Sequence, residues 1–145
     1  LCGKSHGFMP IVVNVTSQEE FDAWMSGKRD GVAELKELMA LTLTLPELVE
    51  RGEEVYQKNC IACHGANGEG GIGKVLAGSS YPLGDQTANI GLMVNGVPGS
   101  AMQAFGAQLN DLDLAAVITY SRNAFGNNMG DSVQAIDVFN YKKGQ

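Results

Sequence analysis

Apolar positions recur at helical spacing in three stretches of this chain, separated by long polar and glycine-rich intervals. Leu48, Gly52, Val55 and Tyr56 share one face of a helix that opens at Thr44-Leu45-Pro46-Glu47. There Thr44 can serve as N-cap with Glu47 at the third position, and Pro46 stands in the first turn, where its missing N–H is harmless. A second helix is predicted from the cap Asn110-Asp111-Leu112-Asp113 through Leu114 to Arg122, with Gly126 as its C-cap. A helical glycine costs about 1 kcal/mol relative to alanine, so Gly52 is expected where the second helix comes close. The small Ala115 and Ala116 would admit it, with Tyr56 and Tyr120 flanking the crossing. Residues 88–94 read as a short third helix with core-facing apolar side chains.

The pattern is different upstream. Residues 11–15 are a β-branched run, Ile-Val-Val-Asn-Val, which predicts a strand. Ser17-Gln18-Glu19-Glu20 has the form of a helix start, followed by Phe21 and Trp24 on one face. Residues 26–31 are loop-like and residues 32–40 form a short amphipathic helix by pattern. The stretch 16–43 is therefore expected to be a linker with short helices, its aromatic pair packing rather than binding a cofactor. Residues 129–145 are read as a C-terminal tail.

The chemistry centres on Cys60-Ile61-Ala62-Cys63-His64. Two thiols two residues apart on one tight turn can form thioethers with the two vinyl groups of a porphyrin. The histidine that follows then lies under the ring, within reach of the iron. Other readings of Cys-x-x-Cys remain. A thioredoxin-like pair wants a preceding strand, and the residues before Cys60 read as helix. Half a zinc site needs a second close ligand pair, for which only Cys2 and His6 stand anywhere else in the chain.

The glycine-rich run after the motif, residues 65–73, follows no strand and opens no helix, which argues against a phosphate cradle. It is expected to wrap a flat cofactor, with Leu76, Tyr81, Leu83, Ile90, Leu92 and Val97 lining the pocket. So small a domain buries little core unaided, and the chain without haem is expected to fold poorly. A second iron ligand must come from a methionine, Met93 on the short helix or Met102 on an irregular loop before the last helix. The loop position is the better ligand geometry.

Composition narrows the partners. A net charge of −6 speaks against nucleic acid and anionic membranes and favours a basic protein partner. No apolar run is long enough to span a bilayer. The chain opens in mid-motif at Leu1-Cys2 with neither a starting methionine nor a signal peptide, as expected of a piece of a longer protein. Cys2, His6 and Met9 combine thiolate, imidazole and thioether, a ligand set that suits copper. On spacing alone, a surface loop leading into a strand fits them equally well.

Residues 1–13, Leu-Cys-Gly-Lys-Ser-His-Gly-Phe-Met-Pro-Ile-Val-Val, resemble the end of the CuA-binding loop of cytochrome c oxidase subunit II. That resemblance implies the last strand of a cupredoxin-like β-barrel over residues 1–15. Cys2, His6 and Met9 would match the loop's second cysteine, histidine and methionine. The other ligands have no counterpart, so only a partial site is expected here, with the dinuclear copper confined to a full-length parent.

Residues 46–128 are similar to the small cytochrome c domains fused to subunit II in some bacterial oxidases. The likeness rests on Arg51-Gly52, Tyr56 and Cys60 to Gly65, on Leu76-Ala77-Gly78-Ser79, on residues 96–105 and on the helix end from Thr119 to Asn127. It implies a mainly α chain with a small mono-haem cytochrome c fold over residues 44–128. It also implies one covalent haem c bound through Cys60 and Cys63, with His64 and Met102 on the iron. Gln103, and Lys74 near the proximal histidine, stand where the family often has proline. The expected role is electron transfer from a donor cytochrome c to CuA, beside oxidase subunit I, on the periplasmic face of the bacterial inner membrane. No catalytic residue is expected. A free soluble cytochrome c carrier, or a haem sensor or peroxidase-like domain, remains the alternative.

Overall fold

The computed structural model describes residues 13–40 and 42–144. The chain divides into two compact units, Leu1–Glu34 and Leu35–Gln145. No strand occurs among the described residues. The copper-like loop, with Cys2, His6 and Met9, and most of the expected strand lie outside them. Val13 and Val15, the described part of that strand, are exposed and belong to no sheet.

Helix α1, Gln18–Ala40, replaces the expected chain of short helices. Its start follows the sequence pattern, with the Ser17 N–H and hydroxyl both donating to the Glu20 carboxylate at 2.8 and 3.0 Å. The helix then runs on through residues 26–31, which were expected to form a loop. Neither Gly27 nor Gly31 has a neighbour that would meet an added Cβ, so packing does not require glycine there. Trp24 spans the first of these glycines, in contact with Phe21 at 5.9 Å and under the Lys28 ammonium at 5.7 Å. Side-chain pairs three and four residues apart support a helix of this kind.

The second unit is built on a crossing of α2, Leu45–Asn59, and α5, Asp111–Asn123. The α2 cap forms as expected, the Thr44 N–H and hydroxyl both donating to the Glu47 carboxylate. Asn110 caps α5 by accepting the Asp113 N–H at 2.8 Å. At the crossing, a Cβ on Gly52 would collide with the Ala116 carbonyl oxygen and lie 2.6 Å from Tyr120 Cβ. That close approach is the reason for the glycine. Tyr56, Tyr120 and Phe125 close the end of the crossing as a cluster of three rings, 5.0–5.4 Å between centroids.

Helix α5 stops at Asn123, before the expected cap at Gly126. Phe125 then adopts a positive φ of 60°. Its ring fills the space where a side chain on Gly68 would lie. Between the crossing helices run the short α3, Ile61–His64, and α4, Gln86–Asn95, the latter capped by Asp85.

The expected tail is part of the core. Helix α6, Ala135–Lys143, buries Val138 and Phe139, and Val133 just before it is also fully buried. The Gln134 N–H donates to the Asp137 carboxylate at its start, and the Lys142 ammonium reaches Gly106 O and Asp111. No described helix is long and apolar enough to cross a membrane.

Candidate functional site

Helix α2 ends by delivering the two thiols. Cys60 donates its N–H to Tyr56 O at the end of α2, and the turn closes with Cys63 N and His64 N both bonded to Cys60 O. Tyr56 fastens the far side of the turn, its hydroxyl donating to Gly65 O at 2.7 Å. Neither Cys60 nor Cys63 is in a disulfide. Burial, with a smaller contribution from the neighbouring Cys63, pushes the Cys60 thiol up to about 11. A dithiol redox centre needs the opposite shift, toward thiolate at neutral pH.

His64 is held in one orientation. Its Nδ1 lies 2.7 Å from Lys74 O, and a carbonyl can only accept, so Nδ1 carries the proton. That leaves the Nε2 lone pair free to bind a metal, the arrangement that second-shell carbonyls impose on ligating histidines. Gly73 allows the approach, since a Cβ there would come within 2.9 Å of the imidazole. Lys74, noted in the sequence only as standing in place of a proline, thus acts through its backbone. Any residue type could supply that carbonyl, so no side-chain signal foretold it.

The turn opens on a cleft of about 500 Å³ with a mainly apolar lining. Cys60, Cys63, His64, Met93 and Met102 all border it. Of the six residues expected to line the pocket, Leu76, Tyr81, Leu92 and Val97 do so. Ile90 instead sits in the core with Phe105, Leu114 and Val138, because α4 turns that face toward α5 and α6. Leu83 is also absent from the lining, whereas Val117 and Ile118 of α5 contribute to it.

The two methionines differ in their surroundings. Met93 packs against both hydrophobic clusters of the second unit, and its carbonyl accepts from Phe105 N. Met102 contacts one cluster only and belongs to a loop pinned by its own bonds, Val97 N to Met102 O and Met102 N to the Ser100 hydroxyl.

The donor set and the cleft fit a haem: paired thiols, an imidazole with Nε2 available, thioethers and a cleft walled by apolar side chains. Zinc fits less well. Among the described residues, no group of three or more His, Cys, Asp or Glu side chains gathers to hold a metal.

Residues 47–120, about half of the chain, match the family described as Cytochrome C oxidase, cbb3-type, subunit III. The chain belongs to this family. Membership in this cytochrome c family implies covalently bound haem c and supports electron transfer as its use. The chain is also 27% identical over 139 residues to the cytochrome c oxidase subunit 2 of Alkalihalophilus pseudofirmus, covering 85% of this chain and 36% of that relative. It is 32% identical over 108 residues to the gluconate 2-dehydrogenase cytochrome c subunit of Pantoea cypripedii, 65% of this chain and 24% of that one. A third relative is the cbb3-type cytochrome c oxidase subunit CcoP of Azospirillum brasilense, 31% identical over 85 residues, 53% of this chain and 28% of the relative. The chain thus spans about a third or less of the length of these relatives.

Proposed function

We propose that residues 44–128 hold one haem c, which Cys60 and Cys63 would bind through thioethers and whose iron His64 and Met102 would ligate. When bound, such a haem supplies a one-electron couple. The chain's own residues then do the rest. Lys74 O holds the His64 proton on Nδ1 and so presents Nε2. The apolar cleft walls would exclude water from a bound haem, and the loop of residues 97–104 would offer the Met102 thioether to its iron. A filled coordination sphere with a thioether favours electron transfer at raised potential over oxygen or peroxide chemistry. The observation that carries this reading is the oriented imidazole, which shares one apolar cleft with both thiols and Met102.

The test is heme staining after denaturing electrophoresis, together with acid–acetone extraction. Colour retained on the chain supports thioether attachment, and colour that washes out overturns it. Carbon monoxide then separates the roles, since a ferrous spectrum that shifts on its addition would indicate an open iron and a sensor or peroxidase.

The wider setting rests on the subunit 2 relative, which extends over most of this chain. We place the domain as the cytochrome c module of a haem-copper oxidase subunit II, periplasmic in the parent, receiving electrons from a donor cytochrome and passing them to CuA beside subunit I. Cys2, His6 and Met9 would contribute to that copper centre. The present chain, with one thiolate in that loop, is expected to bind at most a single copper loosely. Copper titration followed by paramagnetic resonance checks this. A stable product with one unpaired electron shared by two coppers would overturn it.

A further inference from the structure

Arg122 is the one charged residue among the described residues that is buried, with 2% of its surface exposed. Its position on the last turn of α5 favours a cation through the helix dipole, and its guanidinium is almost fully engaged. Nε donates to Asp131 Oδ1 at 2.8 Å and Nη2 to Asp131 Oδ2 at 2.6 Å, a bidentate fork. Nη1 donates to two carbonyls of the loop that precedes α4, Pro82 O and Gly84 O, each at 2.7 Å.

The loop so held is a wall of the cleft. Tyr81 and Pro82 line it, and so does Ser121, the neighbour of Arg122 on α5. Asn127 makes a second fastening one step back along the same wall. It is buried, donates to Leu76 O and Ser121 O, and accepts the Gly78 N–H at 2.8 Å. Two polar side chains at the end of α5 therefore hold a segment that has no regular structure of its own.

We infer that Arg122 is a positioning residue for the haem site: paired with Asp131, it fixes the wall over residues 81–84 and sets the charge balance of that wall. This rests on the haem reading above. Ferric haem carries one more positive charge than ferrous haem, so a net charge fixed in the wall biases the couple, more strongly at the buried Arg122 than at Asp131, whose side chain is 34% exposed. The ion pair keeps that net charge near zero. Removing either partner should unbalance it, and in opposite directions.

The experiment measures the reduction potential and melting temperature of the haem-loaded full chain for Asp131→Asn, Arg122→Gln and Arg122→Lys. Asp131→Asn leaves an uncompensated cation and should raise the potential. Arg122→Gln leaves the carboxylate and should lower it. Arg122→Lys keeps the charge but loses the fork, so the potential should stay near that of the parent while the melting temperature falls. A purely structural role would lower the melting temperature without opposed shifts in potential. Neutralising variants that shift the same way, or not at all, overturn the inference. Should Arg122→Gln fail to fold, Asp131→Asn decides alone, and an unchanged or lowered potential there is the overturning result. An unaltered chain without covalent haem would instead defeat the haem reading itself, whereas unmoved potentials in a haem-loaded chain defeat only this step.

Discussion

Helix α5 and the wall segment of residues 65–84 border the same cleft but are held by different forces. Residues Leu114 to Thr119 of α5 are all buried, so this helix is fixed by non-directional apolar packing against α2, α4 and α6. The wall has almost no apolar burial of its own, with Ile72 79% and Tyr81 49% exposed. Directional bonds hold it instead, from Tyr56 to Gly65, His64 to Lys74, Asn127 to Leu76 and Gly78, and Arg122 to Pro82 and Gly84. Apolar packing tolerates small adjustments, whereas a hydrogen bond lost in a buried place exposes its partner to the full cost of desolvation. The core should therefore fail by overfilling and the wall by the loss of single polar groups.

The sharpest break on the core side is Gly52→Val. Its side chain would meet backbone at Ala116, which cannot rotate away, so a loss of about 3 kcal/mol or more is expected in denaturant unfolding. On the wall side, Asn127→Ala strips three hydrogen-bonded groups of their partner. About 2–3 kcal/mol should be lost, and hydrogen exchange should rise at Gly78 ahead of the α5 amides.

The methionines test whether the cleft divides the same way. Met93→Ala, on the helix side, should cost about 2 kcal/mol through its packing and leave the haem spectrum intact. Met102→Ala should abolish the weak red band of a methionine-bound ferric haem and lower the potential. Loss of that band in the Met93 variant instead would exchange the two roles.

Acid provides a finer probe of the wall. The Arg122 fork holds the Asp131 carboxyl below its ordinary value of 3.8. A carboxylate depressed in the folded state contributes stability that is present above the unfolded value and lost as the pH falls through the folded one. Melting temperature should therefore drop below about pH 4, and Asp131→Asn should flatten that limb of the profile. The smallest effect is expected at Thr44→Ala, where only the exposed cap of α2 is lost and the melting temperature falls by a few degrees.

Local features were legible in the sequence wherever the physics is local. The caps at Thr44 and Asn110 and the paired thiols ahead of a histidine each depend on neighbours in the chain, whereas Gly52 signalled its long-range contact with Ala116 only through the cost of a glycine inside a helix. The start of α6 was harder to read, because Gln134 and Asp137, which cap it, are not the residue types of the usual capping box. The continuity of α1 was also hard to read, since two glycines in six residues outweigh by propensity a Trp24–Lys28 contact that spans only Gly27.

By itself, then, the sequence determined α2, α4 and α5, the caps of α2 and α5, and the residue types that could bind a haem, because these follow from spacing within a few turns. Only the tertiary structure decided that Lys74 contributes a carbonyl rather than a charge, that Ile90 belongs to the core, and that Arg122 reaches back some forty residues to the wall of the cleft. Backbone acceptors carry no residue signature, and a buried cation can be told from a solvated one only when its partners are brought together by the fold.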